Sequence, residues 1–183
     1  MCSSDKGALL QSMLPQEFPA VYAIMQQSFP RDEIRPAEGQ RGLFVHPEYR
    51  MLVARDALGA VQGLMALWLF ESAVFMEHFA VCPACRGCGL GSRMLAELLS
   101  TAQKPVCLEV ELPQDEISRR RIAFYDRHGF CLNTYEYVQP PMAPRLSPVP
   151  LRIMSQGSPL TPAQYEALRH TLYRVVYPLS AQM

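Results

Sequence analysis

The chain has 183 residues; 49% are apolar, 19% are charged, and Lys plus Arg equals Asp plus Glu at 17 each. That length suits one domain and can bury a core without disulfide or metal staples. The balanced charge gives no bulk attraction to nucleic acid or to an anionic membrane. No stretch approaches the roughly 18–20 apolar residues that span a bilayer. The opening MCSSDKGALLQSMLPQ lacks the basic start and apolar run of a secretory signal. The expected address is the cytoplasm, where the six cysteines stay mostly reduced.

In chain order, a short apolar run at 8–13 reads as a strand, and Pro15 is the first turn signal. Over 16–29, Phe18, Val21, Tyr22, Met25 and Phe29 recur at three and four, which predicts an amphipathic helix. Residues 30–42 read as a charged loop with a short helix near Ala37. Three strands follow, at 50–55, 60–70 and 72–81, with a turn at 56–59. Strict alternation along the third places Phe75, Glu77, Phe79 and Val81 on one face. Val74, Met76, His78 and Ala80 then share the other.

A helix over 89–103 carries Leu90, Met94, Leu95, Leu98 and Leu99 as its apolar stripe. Residues 106–112 read as a strand, and 116–128 as a helix closed by Gly129, a residue suited to the left-handed position. Residues 130–138 read as one strand. Five prolines exclude regular structure across 139–150. A last strand is expected at 150–154. Thr161-Pro162-Ala163-Gln164 then has the form of a capping box with Pro at the first helical position. Tyr165, Leu168, Leu172 and Val175 stripe the helix that it opens. There is no internal repeat. The order predicts a mixed α/β layered sheet with parallel pairing among the later strands.

The segment that carries chemistry is Arg86-Gly87-Cys88-Gly89-Leu90-Gly91-Ser92, after a strand and at the start of a helix. Alternate glycines remove side chains from a tight turn, so backbone N–H groups can approach a ligand. The helix start adds unpaired N–H groups and the positive end of a dipole. Together these suit a pyrophosphate, and Arg86 can add a charge-assisted contact. The Walker loop is excluded because Gly91-Ser92-Arg93 lacks its Lys-Ser/Thr ending. A dinucleotide fold would place G-x-G-x-x-G after the first strand; here the spacing is G-x-G-x-G and it comes late.

Phe79-Ala80-Val81, a short loop, Arg86 to Gly91 and an amphipathic helix together resemble the acyl-coenzyme A loop of the GNAT superfamily. That loop is written Arg/Gln-x-x-Gly-x-Gly/Ala, and Arg86, Gly89 and Gly91 fill its fixed places. Ala123-Phe124-Tyr125-Asp126-Arg127-His128-Gly129-Phe130 resembles the family's later helix-to-strand segment. Ser28-Phe29-Pro30 looks like the exit of its first helix. The resemblance covers about 8–138. It implies a single domain over 1–183 with a mostly antiparallel sheet flanked by helices. Residues 139–183 add a Pro-rich connection, a strand and a C-terminal helix. It also implies acetyl-CoA as acyl donor. Backbone groups of Phe79, Ala80 and Val81 would meet the pantetheine arm, as an added strand does. Arg86, Gly87, Cys88, Gly89, Leu90, Gly91 and Ser92 would hold the pyrophosphate. Ser118 stands where many members place an Asn toward the cofactor arm, and its hydroxyl is shorter.

Acetyl transfer requires an amine that has lost a proton and a thiolate that gains one. By resemblance Tyr125 is the candidate acid. For the base, Glu109 is the first choice, because a carboxylate in an apolar strand needs a partner or a task. Glu77 on the preceding strand is the competitor, with Glu111 beside Glu109 and direct attack by an already neutral amine as further options. His78 reads as a satisfied core or surface group. Cys82, Cys85 and Cys88 have metal-ligand spacing, yet a fourth ligand is missing and they share the phosphate loop, so no metal is expected. The expected acceptor is a small-molecule primary amine, drawn by Asp32 or Glu33. A protein N-terminus or lysine is the alternative, and a non-catalytic acyl-CoA sensor is another. No basic stripe interleaved with aromatics points to nucleic acid, and no membrane partner is expected. The Pro-rich segment either covers the site or forms a homodimer edge.

Overall fold

A computed structural model of the chain describes residues 8–178. The strands are β1 (Gln11–Ser12), β2 (Tyr49–Arg55), β3 (Val61–Leu69), β4 (Val74–Val81), β5 (Val106–Glu111), β6 (Phe130–Leu132), β7 (Tyr137–Gln139) and β8 (Val149–Gln156). The helices are α1 (Phe18–Ser28), α2 (Ala37–Gly42), α3 (Leu90–Thr101), α4 (Glu116–Asp126) and α5 (Pro162–Thr171). A π-helical turn, Leu172–Val176, continues α5. All strands join one sheet in the order β1-β2-β3-β4-β5-β8-β6, with β7 also on β8. The β4–β5 pair is parallel and the other described pairs are antiparallel. No helix among the described residues is long and apolar enough to cross a membrane.

The sheet is covered on both faces. On one, α1 and α5 bury Val21, Met25, Tyr165 and Leu168 against Trp68 and Phe75. On the other, α3 and α4 bury Met94, Leu95 and Tyr125 against Met76 and Leu108. Each large side chain removed from water contributes about 1.5–3 kcal/mol. The expected cap forms, with Thr161 Oγ1 accepting from Gln164 N (3.3 Å), and α4 has a further one, in which Asp115 accepts from Ser118 N (2.7 Å).

Three expectations are corrected. The predicted strand at 130–138 is two strands, broken at Asn133. That buried side chain makes bonds of its own: Nδ2 donates to Ile153 O (3.1 Å) and Ser155 Oγ (3.0 Å), and Oδ1 accepts from Leu160 N (2.7 Å). β8 runs beyond the expected 150–154 at both ends and inserts between β5 and β6.

The third correction matters most. Alternation does not hold along β4. Ala66 faces His78 but Leu67 faces Met76, so Glu77 is the extra residue of a β-bulge. The faces therefore exchange partway. Phe75 and Ala80 join the α1–α5 core. Val74, Met76, Phe79 and Val81 meet the α3–α4 core. Glu77 and His78 both turn toward the α1 side, where they contact Trp68 and residue 33. Pairing of β4 with β5 ends at Met76–Leu108. Beyond that point the two strands part, and the sheet opens in its middle.

Gly63 sits where α3 presses on this region. A Cβ there would lie 2.8 Å from Met94 Sδ and 3.1 Å from the Ala80 carbonyl oxygen. Gly63→Ala should cost about 1–3 kcal/mol by overpacking. A lowered urea midpoint with unchanged slope would show it; an unchanged midpoint would contradict this packing.

Candidate active site

The parting of β4 and β5 encloses a cavity of about 280 Å³. Ser28, Phe29 and Glu33 wall it from the α1 side, Glu77 to Val81 from β4, Glu109 to Glu111 from β5, and Arg121 and Tyr125 from α4. Phe79, Ala80, Val81 and Arg86 also line a second hollow of about 320 Å³, which runs over Gly87, Gly89, Leu90, Gly91 and Ser92. The two hollows thus adjoin.

The second hollow is a backbone cradle. Gly87 and Gly89 have φ of 82° and 77°, the left-handed region that glycine enters freely. Gly89 is the N-cap of α3, and no side chain caps that helix. The first-turn N–H groups have no intrahelical acceptor. Arg86 stands at the junction, with Nε donating to Val81 O (3.1 Å) and Nη2 to Ser28 Oγ (3.0 Å). Cys88 borders the loop, and its thiol donates to Cys85 O (2.7 Å). The Cys85 thiol donates to Gln62 Oε1. Ser118, in contrast, is not brought to either hollow. Its hydroxyl donates to Asp115 O (3.1 Å) and accepts from Asp115 N (3.2 Å) within the α4 cap.

Glu109 and Tyr125 face the cavity from opposite elements. Burial pushes the Glu109 carboxyl up to about 8, aided by the nearby charges of Glu77 and Glu33. Hydrogen bonds from Tyr137 and Tyr177 work against that rise. Tyr137 donates to Oε1, and Tyr177 donates to Oε2 at 2.7 Å. Tyr125 is buried edge-on to Phe124 and Phe130, and burial raises its phenol above the usual value. It therefore holds its proton throughout the neutral range and can serve as a donor.

Glu77 lines the same cavity but is not a free base. Its Oε1 is ion-paired with the Arg35 guanidinium, and Trp68 Nε1 donates to Oε2 at 2.8 Å. Burial alone would raise its carboxyl; the Arg35 charge and these hydrogen bonds outweigh burial and hold it below the usual range. Arg35 Nη2 also donates to Val176 O (2.5 Å), which ties the C-terminal turn to β4. Glu111 is ion-paired with Arg121.

Glu33 is different. Burial and the charge of Glu111 push it up to about 7, although Arg121 opposes them. Its backbone oxygen accepts from His78 Nε2 (2.8 Å), which fixes the histidine tautomer. Burial lowers the His78 pKa, so the ring is neutral, and its buried Nδ1 has no partner among the described residues. Asp32 turns away: its Oδ1 accepts from Ser147 N (3.3 Å). Sequence reasoning did not find Arg121, Tyr137 and Tyr177. Tyr177 lies 68 residues from Glu109 along the chain, and no local pattern links them.

A carboxyl with folded pKa near 8 and an ordinary value of 4.5 stays protonated in the folded state while the unfolded chain ionises. Its contribution is present in full below about 4.5 and is lost as pH rises through about 8. Glu109→Gln should therefore flatten the decline of melting temperature across that window. An unchanged decline would mean that Glu109 ionises normally.

The Acetyltransferase (GNAT) domain family matches residues 47–131, the span from before β2 into β6. A solved structure from Bacteroides thetaiotaomicron, assigned as a GNAT-family acetyltransferase, is 32% identical with a TM-score of 0.83. It aligns over 92% of this chain and 97% of its own. YjbC of Bacillus subtilis (strain 168), named as an acetyltransferase by assignment, is 39% identical over 64 residues. That match spans 33% of this chain and 32% of YjbC. A GNAT phosphinothricin acetyltransferase from Sinorhizobium meliloti, solved in complex with AcCoA, shares the fold at TM-score 0.55 and 17% identity, over 80% of this chain and 86% of its own. With near-complete coverage at 32% identity, and the glycine loop inside the matched span, the chain belongs to the GNAT acetyltransferase family.

Proposed function

We propose that the protein is a single-domain, acetyl-CoA-dependent N-acetyltransferase that acetylates the primary amine of a small molecule in the cytoplasm. One observation carries this reading. The parting of β4 and β5 joins an uncapped, glycine-lined helix start on one side and a Glu109–Tyr125 pair on the other.

The residues present fit acetyl-CoA. Backbone groups of Phe79, Ala80 and Val81 lie past the end of the β4–β5 ladder, where the β5-facing edge is open to an extended arm. Gly87 to Ser92 offer N–H groups and a helix dipole to a pyrophosphate, and Arg86 adds charge. Ser118 contributes nothing there, since its hydroxyl is committed to the α4 cap. When bound, acetyl-CoA supplies an acyl thioester for attack.

The chain's own groups handle the protons. In its ionised form, which the charge of an arriving ammonium stabilises, Glu109 takes the proton that the ammonium must lose, and a pKa near 8 is matched to that task. The Tyr125 phenol gives a proton to the departing sulfur. One C–N bond forms and one C–S bond breaks; the nitrogen loses two protons, the first to Glu109 and the second, from the adduct, to the Tyr125 phenolate left when sulfur is protonated, and Glu109 returns its proton to solvent. Glu77 stays an anchor for Arg35.

The carboxyls left without a cationic partner support a cationic acceptor. Of the four cavity carboxylates, Glu77 and Glu111 have arginine partners, whereas Glu33 and Glu109 form no ion pair among the described residues. A cavity of about 280 Å³ suits a compact amine. The Pro-rich segment lies against the acceptor loop through Ser147 and Asp32, which favours its role as a cover over a dimer edge.

Tyr125→Phe should lower kcat by about 10²- to 10⁴-fold while the Kd for acetyl-CoA is unchanged. A full-rate variant would remove Tyr125 from the mechanism, and absence of turnover in the wild type would favour the sensor. Separately, acetyl-CoA at a hundred times its Kd should stabilise the fold by about 2.7 kcal/mol. That is a rise of roughly 5–10 °C for a chain of this size, and Gly89→Val should abolish it.

A further inference from the structure

We propose that Tyr137 and Tyr177 are positioning residues that hold the Glu109 carboxylate for proton transfer, so that the C-terminal turn completes the active site. The inference rests on Glu109 as the base.

The two phenols approach from separate elements. Tyr137 belongs to β7 and donates to one carboxylate oxygen; Tyr177 follows the π-helical turn and donates to the other at 2.7 Å. A carboxylate offers about four lone-pair sites. One phenol on each oxygen fixes the plane of the group and leaves a site on each for an amine in the cavity. Both phenols are buried, and burial raises both pKa values, so both remain donors at neutral pH.

The turn itself is built for this placement. Tyr177 N donates to Leu172 O at 2.8 Å, the wider repeat of a π turn. Such turns rephase the residues that follow and recur at functional sites. Arg35 then fastens the turn. Its guanidinium lies 5.6 Å from the Tyr177 ring centroid, bonds Val176 O and is ion-paired with Glu77. The segment that does this lies beyond residues 47–131, the part matched by the family.

The groups around Glu109 fix the expected sign. Glu77 and His78 line its cavity from β4, Glu33 from the loop after α1, Tyr125 and Arg121 from α4, and Glu111 from its own strand, with Arg35 paired to Glu77. Glu77 and Glu33 raise its pKa, and the two tyrosine bonds lower it. Removing one phenol oxygen therefore moves the titration upward.

The test uses the full-length free protein and the working enzyme in parallel. In Tyr177→Phe, the Glu109 carboxyl titration, followed by 13C NMR and assigned with Glu109→Gln, should rise by about one to two pH units, the equivalent of one hydrogen bond to a charged acceptor. The acid limb of the kcat profile should move with it, while the Kd for acetyl-CoA stays constant. Tyr137→Phe gives the same readout from the other oxygen should the first variant not fold. If both limbs stay in place in a folded variant while Glu109→Gln loses activity, the tyrosine proposal fails and the base stands. If Glu109→Gln keeps full activity, the base reading falls and the proposal with it.

Discussion

A carboxylate cannot lie in the middle of a sheet without a partner, and the arrangement of this protein follows from how Glu77 finds one. Arg35 and Trp68 hold it on the α1 side of the sheet. Alternation from Phe75 already aims Glu77 to that side; the bulge adds His78 to it and turns Phe79 and Val81 to the other face. Breaking such a buried pair by removing one member costs about 3–5 kcal/mol, because the other charge is left uncompensated. The same bulge turns β4 away from β5 just after their last pair. A buried ion pair thus sits where the ladder ends, beside the opening into which the candidate chemistry is placed, and Arg35 ties the C-terminal turn to it through Val176.

Around that opening, charge is partitioned. Two carboxylates, Glu77 and Glu111, are neutralised by arginines and serve as struts. Two others, Glu33 and Glu109, are pushed up to about 7 and about 8. Groups of one kind are thereby given different tasks by their surroundings. On the proposed function, an arriving ammonium would meet these two carboxyls, and its own charge would stabilise their ionised forms. Tyr125 lies on the other wall with its proton retained.

Much of this was legible in the sequence, and the reason is that it is local. Helix stripes, the Thr161 cap and the glycine loop are each written within about a dozen residues. Glu109 stood out because it is polar in an apolar run. What was not legible depends on contacts between distant segments. The bulge at Glu77 leaves no mark in a strand that alternates well on either side of it, so the predicted faces were wrong for Phe79 and Val81. Asn133 looked like a strand residue until its side chain was seen to bond β8 and residue 160. Ser118 was read toward the cofactor, yet the Asp115 cap uses its hydroxyl. Tyr137 and Tyr177 meet Glu109 only in the folded chain.

The central claim is that the open edge of β4 receives the acyl donor beside Glu109 and Tyr125. A crystal structure of the protein with acetyl-CoA tests it most directly. The account predicts the pyrophosphate on the N–H groups of Gly87 to Ser92, the pantetheine arm along Phe79 to Val81, and the thioester within reach of the Tyr125 hydroxyl. Acetyl-CoA seated elsewhere, or with its thioester remote from both Tyr125 and Glu109, would contradict it.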